Sequence, residues 1–489
     1  MALMNDWRKN FLGAYLLYLL IYGSISLRLG LHWDEVLDFD GSAYGTYMAA
    51  GRWLTGLLRA LTGGSESCWL PGFLGGLILC SLVCNLARTL GLHDAWKRWA
   101  FIILYLGCVQ WASMLHFSFL IEAIALGMYF ASAAAWLCHC KEGWKSGLGA
   151  ALLLALAIGA YQTLAMYFGV AWLLLRLLEL RRHPEAYSLR PWVRLACVSI
   201  AGVAVWLSVH KVVLCFLSQE TLDYVQGYQN AISQWPVFLS DMGMHDRMLC
   251  LAHYFKLTLA GALGMGEESY WLFATALLPL AGIVWHALRN HKGWQRLEGC
   301  GVALLIWWLP FSMSLFMLTQ QGFHTCLAAP LSFAGLWMVW LAGARIQDRH
   351  RPLLWVVGCV IVAAASVSVY RDAKEEAALH RNSISLIAAM QEAGQSCAQA
   401  ANLPQAPVIV LAHLENREEP FCGAYPMVAG TGCMNWYCKA YGMNGIRMGD
   451  AQDMQRHRAC WEGMPSWPED GSVKSDGGEI IVKIERGKE

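Results

Sequence analysis

Residues 146–175 read S-G-L-G-A-A-L-L-L-A-L-A-I-G-A-Y-Q-T-L-A-M-Y-F-G-V-A-W-L-L-L, a run without a single charged side chain. A helix needs about 20 apolar residues to cross a bilayer. The run is therefore either one overlong helix or two short ones that meet near Gly159-Ala160-Tyr161-Gln162. The flanking charges decide between them, because loops on the cytoplasmic side carry the excess of Lys and Arg. Splitting the run gives eleven expected spans: 10–29, 70–88, 99–115, 117–137, 147–160, 163–180, 192–214, 269–288, 299–318, 325–343 and 352–370. With the N-terminus inside, the inner loops then hold Arg88, Lys97, Arg98, Lys141, Lys145, Arg181, Arg182, Arg190, Arg194, Arg289, Lys292, Arg296, Arg345, Arg349 and Arg351. The outer loops hold only Arg52, Arg59, Arg247 and Lys256. A single helix over 146–175 would invert every later loop, so the chain is expected to turn at Tyr161-Gln162, on the outer side.

Composition agrees with a multi-pass membrane protein. Of 489 residues, 57% are hydrophobic and 15% charged, where a soluble domain carries about 25% charged residues. The net charge of +1, with 36 scattered basic residues, gives no attraction to nucleic acid. Arg8 and Lys9 precede the first apolar run and no small-residue cleavage site follows it, which reads as a retained helix. Cys80, Cys84, Cys108, Cys197 and Cys359 fall within apolar runs and read as core-packing thiols.

The expected architecture is mainly α: a membrane domain over 1–370 and a small α/β domain over 371–489 on the outer, periplasmic side. In the tail, 371–393 reads as a helix, and 406–413 and 479–484 read as strands. Its cysteines, Cys397, Cys422, Cys433, Cys438 and Cys460, fit one or two disulfides in an oxidising compartment. Cys433 and Cys438 lack the close pairing of a zinc knuckle.

Two outer loops are long, 30–69 and 215–268, and loops of that length in a compact protein usually carry function. The second holds an apolar but interrupted piece, 249–265, that reads as interfacial. The first holds Asp34, Glu35, Asp38 and Asp40. An amphipathic pattern follows, with apolar Tyr44, Tyr47, Met48, Leu54, Leu58 and Leu61 at helical spacing. This reads as a surface helix whose arginines, Arg52 and Arg59, reach towards water. Asp34 and Glu35 read as loop polar groups.

Further polar residues fall on the same outer side: Glu122 beside His116, the Tyr161-Gln162 turn, His210 and Lys211, and Gln320, Gln321 and His324. Each alone has an ordinary structural role, as a helix-pairing acid, an interfacial lysine, a satisfied histidine or a plain turn. Their joint placement beside the acidic loop points to a site, because ionisable groups near lipid are costly. A proton-coupled transporter would gather such groups near the bilayer midplane. Carboxylates and cations at an interface suit sugar transfer from a lipid-linked phosphosugar. A carboxylate removes the acceptor proton, with Asp38 and Asp40 the candidates. Cations stabilise the leaving phosphate, with Arg52, Lys211, Arg247, Lys256 and His324 the candidates. Glu122, Tyr161, Gln162, His116 and Gln320 would line the sugar and acceptor pocket. No metal is required by this scheme, and a divalent cation held by the oxygens of Asp38 and Asp40 is its variant. The rival readings are a flippase of lipid-linked sugars and a non-catalytic envelope scaffold.

Four stretches resemble the serotype-converting membrane glucosyltransferases that modify bacterial O-antigen. They are D-F-D-G-S-A-Y-G-T-Y-M-A-A-G-R-W-L (38–54), F-S-F-L-I-E-A-I-A-L-G (117–127), A-I-G-A-Y-Q-T-L (157–164) and the closing M-P-S-W-P-E-D-G-S-V with G-G-E-I-I-V-K-I (464–484). The resemblance implies the GT-C membrane fold in a bacterial inner membrane, with a first-loop aspartate as base. It also implies a polyprenyl-phosphate glucose donor and a lipid-linked O-antigen acceptor.

Overall fold

The structure is a computed structural model. It describes residues 2–26, 43–62, 69–108, 111, 120–183, 188–232, 242–259, 267–311, 327–343, 351–401, 408–413, 446–448, 451–465, 469–476 and 478–485. The helices are α1 (Ala2–Ser26), α2 (Ala43–Ala49), α3 (Trp53–Thr62), α4 (Trp69–Thr89), α5 (Ala95–Leu106), α6 (Ile121–Cys140), α7 (Trp144–Ala160) and α8 (Leu164–Arg182). There follow α9 (Arg190–Leu214), α10 (Gln219–Ile232), α11 (Met244–Leu259), α12 (Glu267–Asn290), α13 (Gly293–Trp308), α14 (Ala329–Gly343) and α15 (Arg351–Ala401). The chain divides into two compact units, one of residues 1–27 and 43–370 and the other of residues 28–42 and 371–489.

In the first unit, α6 packs against α4, α7 and α8. It is apolar on all sides, as a helix with neighbours all round must be, and most of its residues from Ile121 to Cys138 are buried. Among the described residues, four helical stretches are long and apolar enough to cross a membrane: Gly72–Thr89, Ile121–Cys140, Arg190–Leu214 and Leu354–Arg371. The shorter apolar helices Trp144–Ala160 and Ala329–Leu341 accompany them. Only Val198 and Gly202 of α9 are buried, while Val193, Ile200, Leu207 and Val212 are exposed. An apolar surface of that extent marks a membrane protein. The helices are tied together by buried tyrosine hydroxyls that bond main-chain carbonyls, at the C-terminal end of α5 and in the first turn of α4. Tyr22 Oη lies 2.6 Å from Leu106 O and 2.8 Å from Cys108 O, and Tyr18 Oη donates to Gly72 O at 2.9 Å.

A buried polar knot joins α8 to α13 and α9. Arg176 Nε bonds Glu298 Oε1 at 2.8 Å and Arg176 Nη1 bonds Glu179 Oε2 at 2.5 Å. Trp192 Nε1 donates to the same Glu298 oxygen at 2.7 Å. A buried arginine is tolerated because its charge is neutralised at contact distance.

The charge-free run does break where expected. Helix α7 ends at Ala160, Tyr161 is extended (φ −158°, ψ 127°) and α8 begins at Leu164. Three expectations need correction. The surface helix over 44–61 is two helices, α2 and α3, separated at Ala50–Arg52. The tail helix begins not at Arg371 but at Arg351, and runs through Gly394 to Ala401 as one 51-residue element. Its last apolar span and its polar continuation share one uninterrupted hydrogen-bond ladder, which composition alone does not reveal. Finally, Cys80, Cys84 and Cys108 are buried, but Cys197 and Cys359 are exposed on the sides of α9 and α15. An apolar residue in a spanning helix faces lipid as readily as a core.

The second unit carries a four-stranded sheet in the order β2-β1-β4-β3, with β1 (Val408–His413), β2 (Ile446–Met448), β3 (Val473–Asp476) and β4 (Glu479–Glu485). β1 is parallel to both β2 and β4, and β3 is antiparallel to β4. Short helices α16 (Ala451–Arg456) and α17 (Arg458–Glu462) precede β3. Ile480, Ile481 and Val482 of β4 are buried, Ile481 against Met464, Cys460 and Trp461. Lys483 is buried as well. Its Nζ donates to Met464 O at 2.9 Å and Trp461 O at 3.1 Å and lies over the Trp461 ring. Cys460 is a free thiol; the other four tail cysteines lie outside the described side chains.

Candidate active site

The site is built on the α2–α3 elbow. Gly51 has φ 81°, the left-handed conformation that favours glycine. The Gly51 N–H bonds Met48 O at 3.1 Å and the Arg52 N–H bonds Tyr47 O at 2.8 Å. This is the Schellman closure of a helix. It ends α2 and redirects the chain at once into α3.

Three contacts clamp the elbow against the α7–α8 break and α9. Trp206 Nε1 donates to Gly51 O at 3.0 Å. The Gln162 amide nitrogen donates to Ala50 O. Thr55 Oγ1 donates to Ala160 O at 2.7 Å, satisfying a carbonyl at the end of α7. A side chain at Gly51 would collide with Trp206 Cζ2, 2.8 Å from an added Cβ. The Trp206 ring is stacked in turn on His210, with centroids 5.7 Å apart.

Within this clamp stands Arg52, half-buried. Its Nε donates to Gln162 Oε1 at 3.4 Å and its guanidinium carbon lies 4.4 Å from the Tyr161 ring centroid. Both partners are neutral. Among the described residues no carboxylate is paired with Arg52. A guanidinium presents five donors in a fixed fork, so one held only by neutral partners still has donors to offer an anion.

Residues 33–342, more than half of the chain, match the family described as "Glucosyl transferase GtrII". The chain belongs to the GtrII glucosyl transferase family. The match encloses the elbow, Glu122, the Tyr161-Gln162 break and Trp206, and it ends before the tail. No curated protein and no solved structure matches this GtrII chain.

The structure of the GtrII glucosyltransferase brings together three of the residues singled out from sequence: Arg52, Tyr161 and Gln162. Glu122 lies in the first turn of α6, where Arg59 Nη1 approaches its Oε1 to 3.6 Å. Arg59 does not reach towards water as the amphipathic pattern implied; it is 1% exposed. Lys211 is exposed in the last turn of α9, and no contact among the described residues joins it to Arg52. Arg247 is half-buried in the first turn of α11. Lys256 lies on α11 with its side chain outside the described set, and Asp38, Asp40, His116, Gln320 and His324 lie outside the described residues altogether. Among the described residues, no group of three or more His, Cys, Asp or Glu side chains is arranged to hold a metal ion.

Trp206 and Thr55 were missed by sequence reasoning. Trp206 lies four residues before His210 on one face of α9, a spacing that placed it beside a residue already singled out. Thr55 carried no signal, because its partner is a carbonyl more than one hundred positions away.

Proposed function

We propose that this glucosyltransferase moves glucose from a polyprenyl-phosphate donor to a lipid-linked O-antigen or other envelope glycan, with inversion. The reaction is placed at the periplasmic face of the inner membrane, on an eleven-span GT-C scaffold with the N-terminus inside and the tail outside. The observation that carries this reading is Arg52, oriented by Gln162 and Tyr161 with no carboxylate among the described residues to neutralise it.

The chemistry explains why such a cation is useful. The donor is a phosphodiester with one negative charge. The acceptor hydroxyl attacks the anomeric carbon, the bond from that carbon to the phosphate oxygen breaks, and the sugar is inverted. The leaving polyprenyl phosphate is a monoester with a second negative charge. The proton passes to the carboxylate of Asp38 or Asp40. A preorganised cation binds the transition state more tightly than the donor, because charge is developing at the phosphate. Lys211, Arg247, Lys256 and His324 are the further phosphate contacts in this scheme. Tyr161, Gln162, His116 and Gln320 flank the sugar and acceptor, and Glu122 holds Arg59. Arg52 supplies the positive charge, so no metal is required.

The test is glucosyl transfer from polyprenyl-phosphate glucose by the purified protein. Asp38→Asn or Asp40→Asn is expected to lower turnover ~10²–10⁴-fold, the range for a general base. Full activity in both single variants overturns the assignment. Activity is expected to survive EDTA, and its loss would replace the metal-free scheme with a cation held by Asp38 and Asp40. Surface glycans should gain one hexose per repeat when the protein is present, read by mass spectrometry.

A further inference from the structure

The backbone of the elbow leans on one indole. Trp206 Nε1 donates to Gly51 O at 3.0 Å, and the edge of the same ring fills the space that a Cβ at Gly51 would need. Arg52 is the next residue, so the direction in which its side chain leaves the backbone depends on where that indole sits. An indole has several staggered rotamers open to it, and packing selects among them. Helix α9 supplies little packing of its own. Its buried residues, Val198 and Gly202, both precede Trp206, which is half-buried.

A brace stands one helical turn further on. His210 lies four residues after Trp206, on the same face of α9. The two rings are stacked, with centroids 5.7 Å apart and planes 8° from parallel. The contact is made by ring faces. His210 Nδ1 is buried and has no hydrogen-bond partner among the described residues. Leaving a buried polar atom unsatisfied is unfavourable, so it is the flat ring, and not that nitrogen, that favours the position.

We propose that His210 is a positioning residue for glucosyl transfer: its ring fixes the Trp206 indole, the indole fixes the elbow through Gly51 O, and the elbow aims Arg52. The role rests on the reading of Arg52 as the cation that meets the donor phosphate. His210 touches no reacting atom and passes no proton in this scheme. What the position requires is a ring face.

Hydrogen exchange of the purified full-length protein in detergent reads the brace without reference to activity. The amides of Gly51 and Arg52 are bonded to Met48 O and Tyr47 O. They are expected to exchange ~5-fold faster in His210→Ala and in His210→Gln, which is an aromatic contact of about 1 kcal/mol taken at 1.4 kcal/mol per tenfold. His210→Phe keeps a ring face, removes both nitrogens, and is expected to exchange as the wild type does. Glucosyl transfer should follow the same order. Its kcat is expected to fall ~5-fold in the Ala and Gln variants and to be restored in Phe, with KM for polyprenyl-phosphate glucose unchanged. In an Arg52→Ala background, His210→Ala should lower transfer no further, because both substitutions act through one group. Unaltered exchange at the elbow in both His210→Ala and His210→Gln overturns the proposal. So does a His210→Phe variant that behaves as His210→Ala, or a further ~5-fold loss of transfer in the double variant. Faster exchange in His210→Ala together with full transfer in Arg52→Ala would instead reject the phosphate contact at Arg52, and would reduce the brace to a structural one.

Discussion

Arg52 and Arg59 lie one heptad apart, on either side of the start of α3, and the fold treats them oppositely. Arg59 is buried and placed against the Glu122 carboxylate. Arg52 is half-buried and held by an amide oxygen and an aromatic ring. Arg176, deep between α8 and α13, follows the pattern of Arg59, with two carboxylates at contact distance. An arginine neutralised by acids ties helices together. One oriented by neutral partners, as Arg52 is by Gln162 and Tyr161, is not neutralised by the groups that position it. The difference lies in the partner and not in the arginine.

The comparison can be broken from the structural side first. Removing one partner of a buried ion pair is destabilising, by about 3–5 kcal/mol where nothing else neutralises the charge left behind. Glu122→Ala is therefore expected to lower thermal stability in detergent by that amount, and the Arg59→Met/Glu122→Leu double variant to recover most of it. An unchanged unfolding midpoint in Glu122→Ala would remove the distinction between the two arginines. From the functional side, Arg52→Ala is expected to lower glucosyl transfer ~10²–10³-fold, the effect of losing a transition-state donor, with stability altered by less than Glu122→Ala. Equal losses of fold and activity would make Arg52 another tie.

Gln162→Glu sharpens the contrast by giving Arg52 the kind of partner Arg59 has. Transfer is expected to fall about twentyfold in kcat, within the 1.5–3 kcal/mol of a hydrogen bond to a charged group. Full activity would mean that the neutrality of the clamp is immaterial. The smallest effect concerns the tail. Burial, and after it the charge of Asp476, push the Cys460 thiol above its ordinary pKa. Less thiolate is present at a given pH, so alkylation should be slower than that of an unhindered thiol and should rise at higher pH. Alkylation at the rate of a free thiol near pH 8 would contradict the packing around Met464 and Trp461.

Much of this was legible in the sequence, for identifiable reasons. The break at Tyr161 could be read because charges in distant loops must fall on consistent sides, a constraint that acts along the whole chain. Strands β1 and β4 could be read because Val408–Leu411 and Ile480–Val482 are unbroken β-branched and aliphatic runs. Strands β2 and β3 are three and four residues long, too short to carry a period. Arg52, Tyr161 and Gln162 were visible as unusual residues beside turns. The burial of Arg59 was not, because helical spacing places a residue on a stripe but does not say what covers that stripe. Its partner comes from α6, and Trp206, which holds the elbow, comes from α9. Clamps assembled from separate helices leave no local trace.

The Arg59–Glu122 pair also constrains the order of assembly. The chain is synthesised from its N-terminus, so Arg59 emerges well before Glu122. A lone arginine or acid within a bilayer is unfavourable by about 2.5–3.5 kcal/mol on insertion scales, and α3 has no acid of its own to offer. The Arg59–Glu122 contact can therefore form only once α6 has been made. The elbow waits longer, because its clamps come from Ala160, Gln162 and Trp206, so a part that comes early in the sequence is among the last to be held in place.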